Sequence, residues 1–417
     1  MINTINNSFK MVKSKMDKNS IVIVADSFYP DVTSVSVQIQ DLVNQYIIDG
    51  YRCYVILPSN KINTKNFLKK RFKKNITLIY LKTFDIKNKS YILRALSEFV
   101  MPFLLKKNFN KELINKDDIL GIISYSPSIF FGFFISYLKK IYNCKSYLIA
   151  RDLFPRWAAD LNLIKFNSIE YYFLDFINNY QYKIADHIGI QSKGNLSFFN
   201  NKYRDKIEIL PNWLNTQKKI KKNINSNLIN KLKNNKKIIV TYTGNIGIAQ
   251  GFKSILDMIL QLKNNNKIYF VVFGRGDNFY KLDNQIKNYK LKNIYLSSEI
   301  SSELMDEIYD ISNIGLVSLD VRHTTHNIPG KFINYLKSGL PVFVKCNKTN
   351  DLFSLVNNNS LGCAVDSDDS EYLKNKLLKL ANEVVKKNDY HDRCKKFFKK
   401  NYDVRNISKQ ILKKLNI

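Results

Sequence analysis

Three glycine-bearing loops in the second half of the chain gather residue types that hold an anion. In Thr243-Gly244-Asn245-Ile246-Gly247-Ile248-Ala249-Gln250-Gly251 a strand pattern ends and a helix pattern begins. Gly244 and Gly247 let the backbone come close to an anion, and the N-terminus of the following helix favours negative charge there. The Gly244-x-x-Gly247 spacing is not the G-x-G-x-x-G dinucleotide fingerprint, and it does not open the first sheet. In Phe273-Gly274-Arg275-Gly276-Asp277 two glycines flank Arg275 and leave its guanidinium room to clamp a phosphate. Alone, that loop reads equally as an exposed turn. The third loop runs from His326 to Val342 and reads as loop, helix start, helix, Gly339 C-cap and a Pro-led strand. It puts Lys331 near a helix N-terminus, where a cation is unfavourable unless an anion joins it, so a diphosphate is its natural partner.

The first half offers two further loops. Phe28-Tyr29-Pro30-Asp31-Val32-Thr33-Ser34 leads into a helix, and Ala150-Arg151-Asp152-Leu153-Phe154-Pro155 follows a strand. The second should aim Arg151 and Asp152 into a cleft, where a carboxylate can accept a hydroxyl proton. The plain alternative is an Asp N-cap with a local ion pair. Trp157 and Trp213 read as core or hinge packing.

These loops need a scaffold that places strand ends and helix starts together. Strand patterns fall at Ile21–Ala25, Cys53–Leu57, Ile76–Leu81, Ile119–Ser124, Ser146–Ala150, His187–Gln191 and Ile207–Leu210. Helical stretches lie between them, notably Ser128–Ile141 and Ile169–Ile184. The alternation restarts at Ile238–Thr243 and continues at Ile268–Phe273, Ile294–Leu296, Ile314–Val317 and Pro341–Val344. This predicts two doubly wound parallel-sheet α/β domains, 20–213 and 214–389, with residues 390–417 packing back on the first.

Composition narrows the function classes. The chain has 417 residues, with 66 Lys+Arg against 35 Asp+Glu, a net charge of +31. Hydrophobic residues make up 45%, which excludes wholesale disorder. Only ten of the basic residues are Arg, and the Lys are scattered among many Asn, so nucleic acid is not an expected partner. The densest basic clusters are Lys69–Lys74, Lys218–Lys237 and Lys395–Lys400. Five separated cysteines and four His without zinc spacing imply a reducing compartment and no structural metal. Met1–Asn19 has no apolar core of a signal peptide. The longest apolar run, Ile129–Leu138, is half of the roughly 20 residues a spanning helix needs. The stretch from Tyr91 to Lys107, apolar with basic ends, reads either as a core helix or as one lying on a membrane surface.

Over roughly residues 20–400 the layout and its loops resemble GT-B glycosyltransferases of family 4, which retain anomeric configuration. The trio Arg151-Asp-Leu-Phe-Pro, Gly244-Asn-Ile-Gly-Ile-Ala-Gln-Gly and Thr325-His-Asn-Ile-Pro-Gly-Lys looks like the bacterial O-antigen and capsule enzymes that include the L-fucosamine transferases. The resemblance implies two Rossmann-like domains facing a central cleft, the second binding a nucleotide-sugar and the first an acceptor. It places Gly244, Gly247, Gly274, Arg275, Gly330 and Lys331 at the donor diphosphate, with Asn327 in the same loop, and Ser298-Glu299-Ile300 near the nucleobase. The family's Glu-x7-Glu positions read His326, facing the donor sugar, and Asn334, facing the ribose. The family's Arg and Lys in the first phosphate loop correspond to Asn245 and Gln250, so two cations are missing. Arg275, Lys331 and helix dipoles would then carry the leaving diphosphate without a metal, with Asp152 as an orienting group and Thr33, Ser34 and Arg151 toward the acceptor.

The implied donor is a UDP-sugar, such as one of an N-acetylated deoxyhexose, and the implied acceptor a polyprenyl-diphosphate-linked saccharide. The implied place is the cytoplasmic face of a bacterial inner membrane, held peripherally by anionic lipid. A UDP-N-acetylglucosamine 2-epimerase shares the fold but needs cleft carboxylates, which His326 and Asn334 replace.

Overall fold

The computed structural model describes residues 20–417 apart from 32, 63–65, 85–90, 127, 152, 217–226, 235, 299–301, 323, 325, 327 and 387–388. The chain divides into two compact units. One comprises the described residues up to Gln191, with Asn195–Pro211 and Val404–Ile417; the other comprises Ser192–Gly194 and Asn212–Asp403.

The first unit is built on an eight-stranded sheet ordered β3-β4-β2-β1-β5-β6-β7-β8. Its strands are β1 (Ser20–Val24), β2 (Arg52–Ser59), β3 (Phe67–Lys73), β4 (Ile76–Lys82), β5 (Ile119–Tyr125), β6 (Lys145–Ala150), β7 (His187–Ile190) and β8 (Ile207–Ile209). β1 lies between β2 and β5, both parallel to it, and all five of its residues are buried, as a β-branched run in a two-sided parallel sheet must be. The helix Ser34–Ile48 starts at Thr33, whose side chain accepts the Ser36 amide at 3.3 Å.

One element of this sheet escaped the sequence pattern. Lys69–Lys74 was expected only as a charge cluster, yet Phe67–Lys73 is an edge strand antiparallel to β4. Lys70, Arg71 and Lys73 are exposed along it, and lysines on an edge discourage pairing with another chain. Lys69 is spent locally, donating to the Leu113 carbonyl at 2.8 Å.

The second unit carries a six-stranded sheet ordered β11-β10-β9-β12-β13-β14. Its strands are β9 (Ile238–Asn245), β10 (Ile268–Arg275), β11 (Ile294–Ser297), β12 (Ile314–Ser318), β13 (Val342–Lys345) and β14 (Gly362–Val365). All its pairings are parallel. β14 was not anticipated, because four residues opening on a glycine leave little periodicity to read.

The chain returns to the first unit one helix later than expected. The helix Tyr390–Asn401 stays in the second unit, where Cys394, Phe398 and Tyr402 are buried with Phe332 and Leu336. Only the helix Val404–Leu415 joins the first unit, laying Val404, Ile407, Ile411, Leu412 and Leu415 against the helix Ser34–Ile48 and β6. After the short segment Ser192–Gly194, the chain passes into the second unit between Pro211 and Asn212. The run Ile129–Leu138 is a buried helix that starts at Gly132, later than the sequence suggested. Among the described residues no helix is long and apolar enough to cross a membrane.

Candidate functional site in the second unit

The two glycine loops leave the sheet side by side. β9 and β10 stay in register to their ends, pairing Gly244 with Gly274 and Asn245 with Arg275. A Cβ on Gly274 would lie 2.2 Å from the Gly244 carbonyl oxygen, so only glycine fits there. Gly244 itself has φ +116°, which other residues rarely adopt. The Ile246 amide donates to the Arg275 carbonyl at 2.7 Å, and the Asn278 amide to the Ile246 carbonyl at 3.1 Å. The loops are therefore one hydrogen-bonded platform. Arg275 stands exposed at its tip.

The platform's far side is pinned by three successive carbonyls. Ala249 O accepts the Asp320 amide at 2.9 Å, Gln250 O accepts the Ser318 hydroxyl at 2.6 Å, and Gly251 O accepts the Lys345 ammonium at 2.9 Å. Lys345 ends β13 with a side chain 1% exposed, and it also meets Asp368 at 2.5 Å and Ser254 Oγ at 2.9 Å. Asn245 and Gln250, which stand where the resemblance puts two cations, hold each other within the loop. Gln250 Oε1 accepts the Gly247 amide at 3.0 Å and the Asn245 side-chain amide at 3.2 Å. Their first task is to shape the turn.

The third loop is brought to this platform by Tyr335. It lies one turn beyond Lys331 in the helix Gly330–Ser338, fully buried, and its hydroxyl accepts the Thr243 amide at 3.1 Å. Gly315 makes room for it, since a Cβ there would be 2.3 Å from the ring. Residues i and i+4 share a helix face, so seating Tyr335 on the end of β9 delivers Lys331 to the platform. Lys331 Nζ lies 3.7 Å from the centroid of the Tyr242 ring, and a Cβ on Gly244 would be 3.5 Å from that nitrogen. The residue as a whole is half-buried, but its ammonium is enclosed, and burial pushes its pKa down to about 7. Among the described residues no carboxylate pairs with it and no side chain caps the helix start at Pro329.

His326 is oriented by a residue the sequence did not single out. Its Nδ1 lies 3.0 Å from the Asp351 amide and 3.2 Å from Asp351 Oδ1. Asp351 also accepts the Gly194 amide at 2.7 Å and the Ser192 hydroxyl. Burial pushes its carboxyl up, but the bonds from His326, Ser192 and Gly194 and the charge of His326 prevail and hold it well below the usual range. Asn334 turns back on its own helix, donating to the Gly330 carbonyl at 3.2 Å.

The positions expected at the acceptor fall in the first unit. Thr33 and Ser34 are exposed at the start of the helix Ser34–Ile48. Arg151 is not available there: it is 5% exposed and donates to the Leu210 carbonyl at 2.6 Å and the Pro211 carbonyl at 3.3 Å. A buried guanidinium needs such acceptors, so its role is to fix the chain at the end of the first unit. Asp152, Ile300 and Asn327 lie outside the described residues.

Residues 224–401 match the family model described as Glycosyl transferases group 1. No curated protein matches the sequence. Among solved structures, an E. coli trehalose-6-phosphate protein bound with UDP-2-fluoro glucose superposes with a TM-score of 0.67 at 12% identity, over 95% of this chain and 99% of that one. Anabaena HepE in complex with UDP and glucose gives 0.65 at 14%, over 95% and 99%. WaaG, a glycosyltransferase involved in lipopolysaccharide biosynthesis, gives 0.63 at 12%, over 94% and 98%. Residues 224–401 thus resemble the glycosyl transferases group 1 family, and the chain as a whole has the GT-B fold.

Proposed function

We propose that the protein is a retaining glycosyltransferase that moves a sugar from a UDP-sugar to a polyprenyl-diphosphate-linked saccharide in bacterial surface-polysaccharide synthesis. The observation that carries the donor half is the enclosed ammonium of Lys331 beside the Gly244 backbone. A buried cation without a carboxylate is costly until an anion arrives. A diphosphate seated on the platform supplies that anion. The two solved relatives that hold UDP or a UDP-sugar support a uridine donor.

Breaking the bond between sugar and diphosphate leaves negative charge on the departing phosphate and positive character on the sugar. Lys331 and Arg275 stabilise the departing charge, and the backbone amides around Gly244 and Gly330 add fixed dipoles. His326, held by Asp351, faces the sugar, and Asn334 the ribose. Retention follows when the acceptor hydroxyl attacks on the face the phosphate leaves, with that phosphate taking the proton and Asp152 orienting the hydroxyl. We assign no metal to the step. The sugar we favour is an N-acetylated deoxyhexose such as N-acetyl-L-fucosamine, by the resemblance of the loop trio. The reading places the enzyme on the cytoplasmic face of the inner membrane.

The test is a panel of UDP- and GDP-sugars offered with a GlcNAc-diphospho-lipid acceptor, with and without EDTA. The expected result is acceptor-dependent transfer from one UDP-sugar, unchanged by EDTA. Conversion of the donor in the absence of acceptor would replace this reading with an epimerase, and loss of transfer in EDTA would put a metal in the step.

A further inference from the structure

The helix Ile169–Ile184 is apolar on two faces. One face sends Ile177 into the core beside Asn178 and Gln181. The other carries Ile169, Tyr172, Phe173 and Phe176 at i, i+3, i+4 and i+7, and these are 87%, 59%, 45% and 66% exposed. That spacing makes a stripe, and it faces solvent. Leu163 and Phe166 just before the helix are 56% and 38% exposed. The stripe is not isolated. Phe173 packs on Phe99 at 5.5 Å, and Phe99 on Phe103 at 5.9 Å, with Phe103 47% exposed in the helix Tyr91–Asn108. With aromatics of about 150–250 Å² each, the exposed area is on the order of several hundred Å², the size of apolar patch that on a monomer is often functional.

The charges around this face favour an anionic surface. The helix Tyr91–Asn108 ends in Lys106 and Lys107, and Lys165 precedes the stripe. The two acids of the helix Ile169–Ile184 are bonded only by neutral groups, Glu170 by its own backbone amide and Ser168 and Asp175 by the Asn179 side chain at 2.8 Å, so the pull toward an anionic surface comes from these lysines and the net charge of +31. The stripe mixes Phe with Tyr, whose hydroxyl suits the water boundary of a bilayer. The helix is also tied to the loop after β6, because Asn178 donates to the Phe154 carbonyl at 2.8 Å.

We infer that Ile169, Tyr172, Phe173, Phe176 and Phe103 form the face by which the first unit enters the headgroup layer of an anionic lipid bilayer. The inference rests on the lipid-linked acceptor reading for its purpose, and on exposure and charge for its location.

The experiment is cosedimentation of the full chain with vesicles of phosphatidylcholine alone or mixed with phosphatidylglycerol, at low and raised salt. Wild type should bind the phosphatidylglycerol vesicles and keep a residual part at high salt. Phe173→Ser with Phe176→Ser should weaken binding about tenfold or more at both salts. Lys106→Gln with Lys107→Gln should weaken it only at low salt. Both variants are judged only after their melting temperature and UDP binding match wild type. Undiminished binding by the Phe double variant overturns the inference. So does a wild-type dimer in sedimentation velocity that the same variant dissolves, because the face would then belong to a second copy. Transfer to a lipid-linked acceptor separates the two readings. Vesicle binding without any such transfer leaves this face standing and sinks the acceptor assignment, and transfer without Phe-dependent binding does the reverse.

Discussion

The ammonium of Lys331 sits 3.7 Å from the centroid of the Tyr242 ring. The ring's negative face gives the cation a partial partner. It cannot replace the solvation lost on enclosure, and burial lowers the pKa to about 7. With no anion beside it, Lys331 therefore gives up its proton far more readily than an ordinary lysine. An arriving diphosphate favours the charged state.

Binding of UDP should accordingly take up protons. At pH 8 the free enzyme holds Lys331 mostly neutral, and the bound diphosphate returns the proton. Calorimetry in buffers of different ionisation enthalpy should show this uptake, and Lys331→Met should abolish it. The same variant should slow transfer by about two or more orders of magnitude, as removal of a key electrostatic donor does. A lysine whose folded pKa lies near 7, against about 10.4 unfolded, gains stability as pH rises through that window. Any melting-temperature advantage of Lys331→Met should be largest below pH 7 and shrink toward pH 10. A pH-independent difference would show that Lys331 is not perturbed.

The parts of this site that the sequence made legible are those with a local signature. Gly244, Gly274 and Lys331 sit at strand ends and a helix start, where periodicity changes and punctuation residues cluster. The residues that hold them there carry no such mark. Tyr335 reads as one more apolar position of its helix, and Lys345 as a strand-end surface charge, yet one seats Lys331 and the other pins Gly251. Asp351 meets His326 across 25 residues, a contact set by strand order and not by spacing. Arg151 shows the opposite error: a basic residue after a strand looked like a ligand group, but the β8 chain end provides its acceptors.

Lys345→Met should act on donor affinity more than on turnover. It removes the only side-chain charge on the Gly251 carbonyl among the described bonds and leaves Asp368 with the Ser254 hydroxyl but without its cation. Losing a buried charged bond costs about 1–3 kcal/mol. The expected result is a KM for the donor raised about tenfold, a smaller change in kcat, and a lower melting temperature. Ser318→Ala, which frees only the Gln250 carbonyl, should do the same more weakly. A fall in kcat with KM unmoved would place Lys345 in the chemistry instead.

Asp351→Asn should separate orientation from charge at His326. The asparagine keeps a side-chain oxygen for the Gly194 amide but loses the carboxylate that faces His326 Nδ1. Because the Asp351 carboxyl is held low in the folded chain, its stabilisation is present above about pH 4 and is lost as pH falls below that, through the folded value. The melting-temperature gap between wild type and variant should therefore be wide at pH 7 and close under acid. Transfer should slow about tenfold through a misplaced imidazole. A gap that persists unchanged into acid would mean the carboxylate's charge contributes nothing.

Arg151 gives the sharpest contrast between a ligand group and a structural one. Its guanidinium holds the Leu210 and Pro211 carbonyls, the last residues before the chain enters the second unit. Bonds from a charged donor contribute about 1.5–3 kcal/mol each. Arg151→Met fills part of the volume but leaves both carbonyls buried without that donor. The variant should melt several degrees lower, while its folded fraction keeps the wild-type acceptor KM. Lys in its place should recover part of the stability, because one ammonium can still reach one carbonyl but cannot span two. If Arg151→Met instead raised the acceptor KM without a loss of melting temperature, the side chain would have to leave its buried seat to meet substrate, and the assignment made from sequence would be restored.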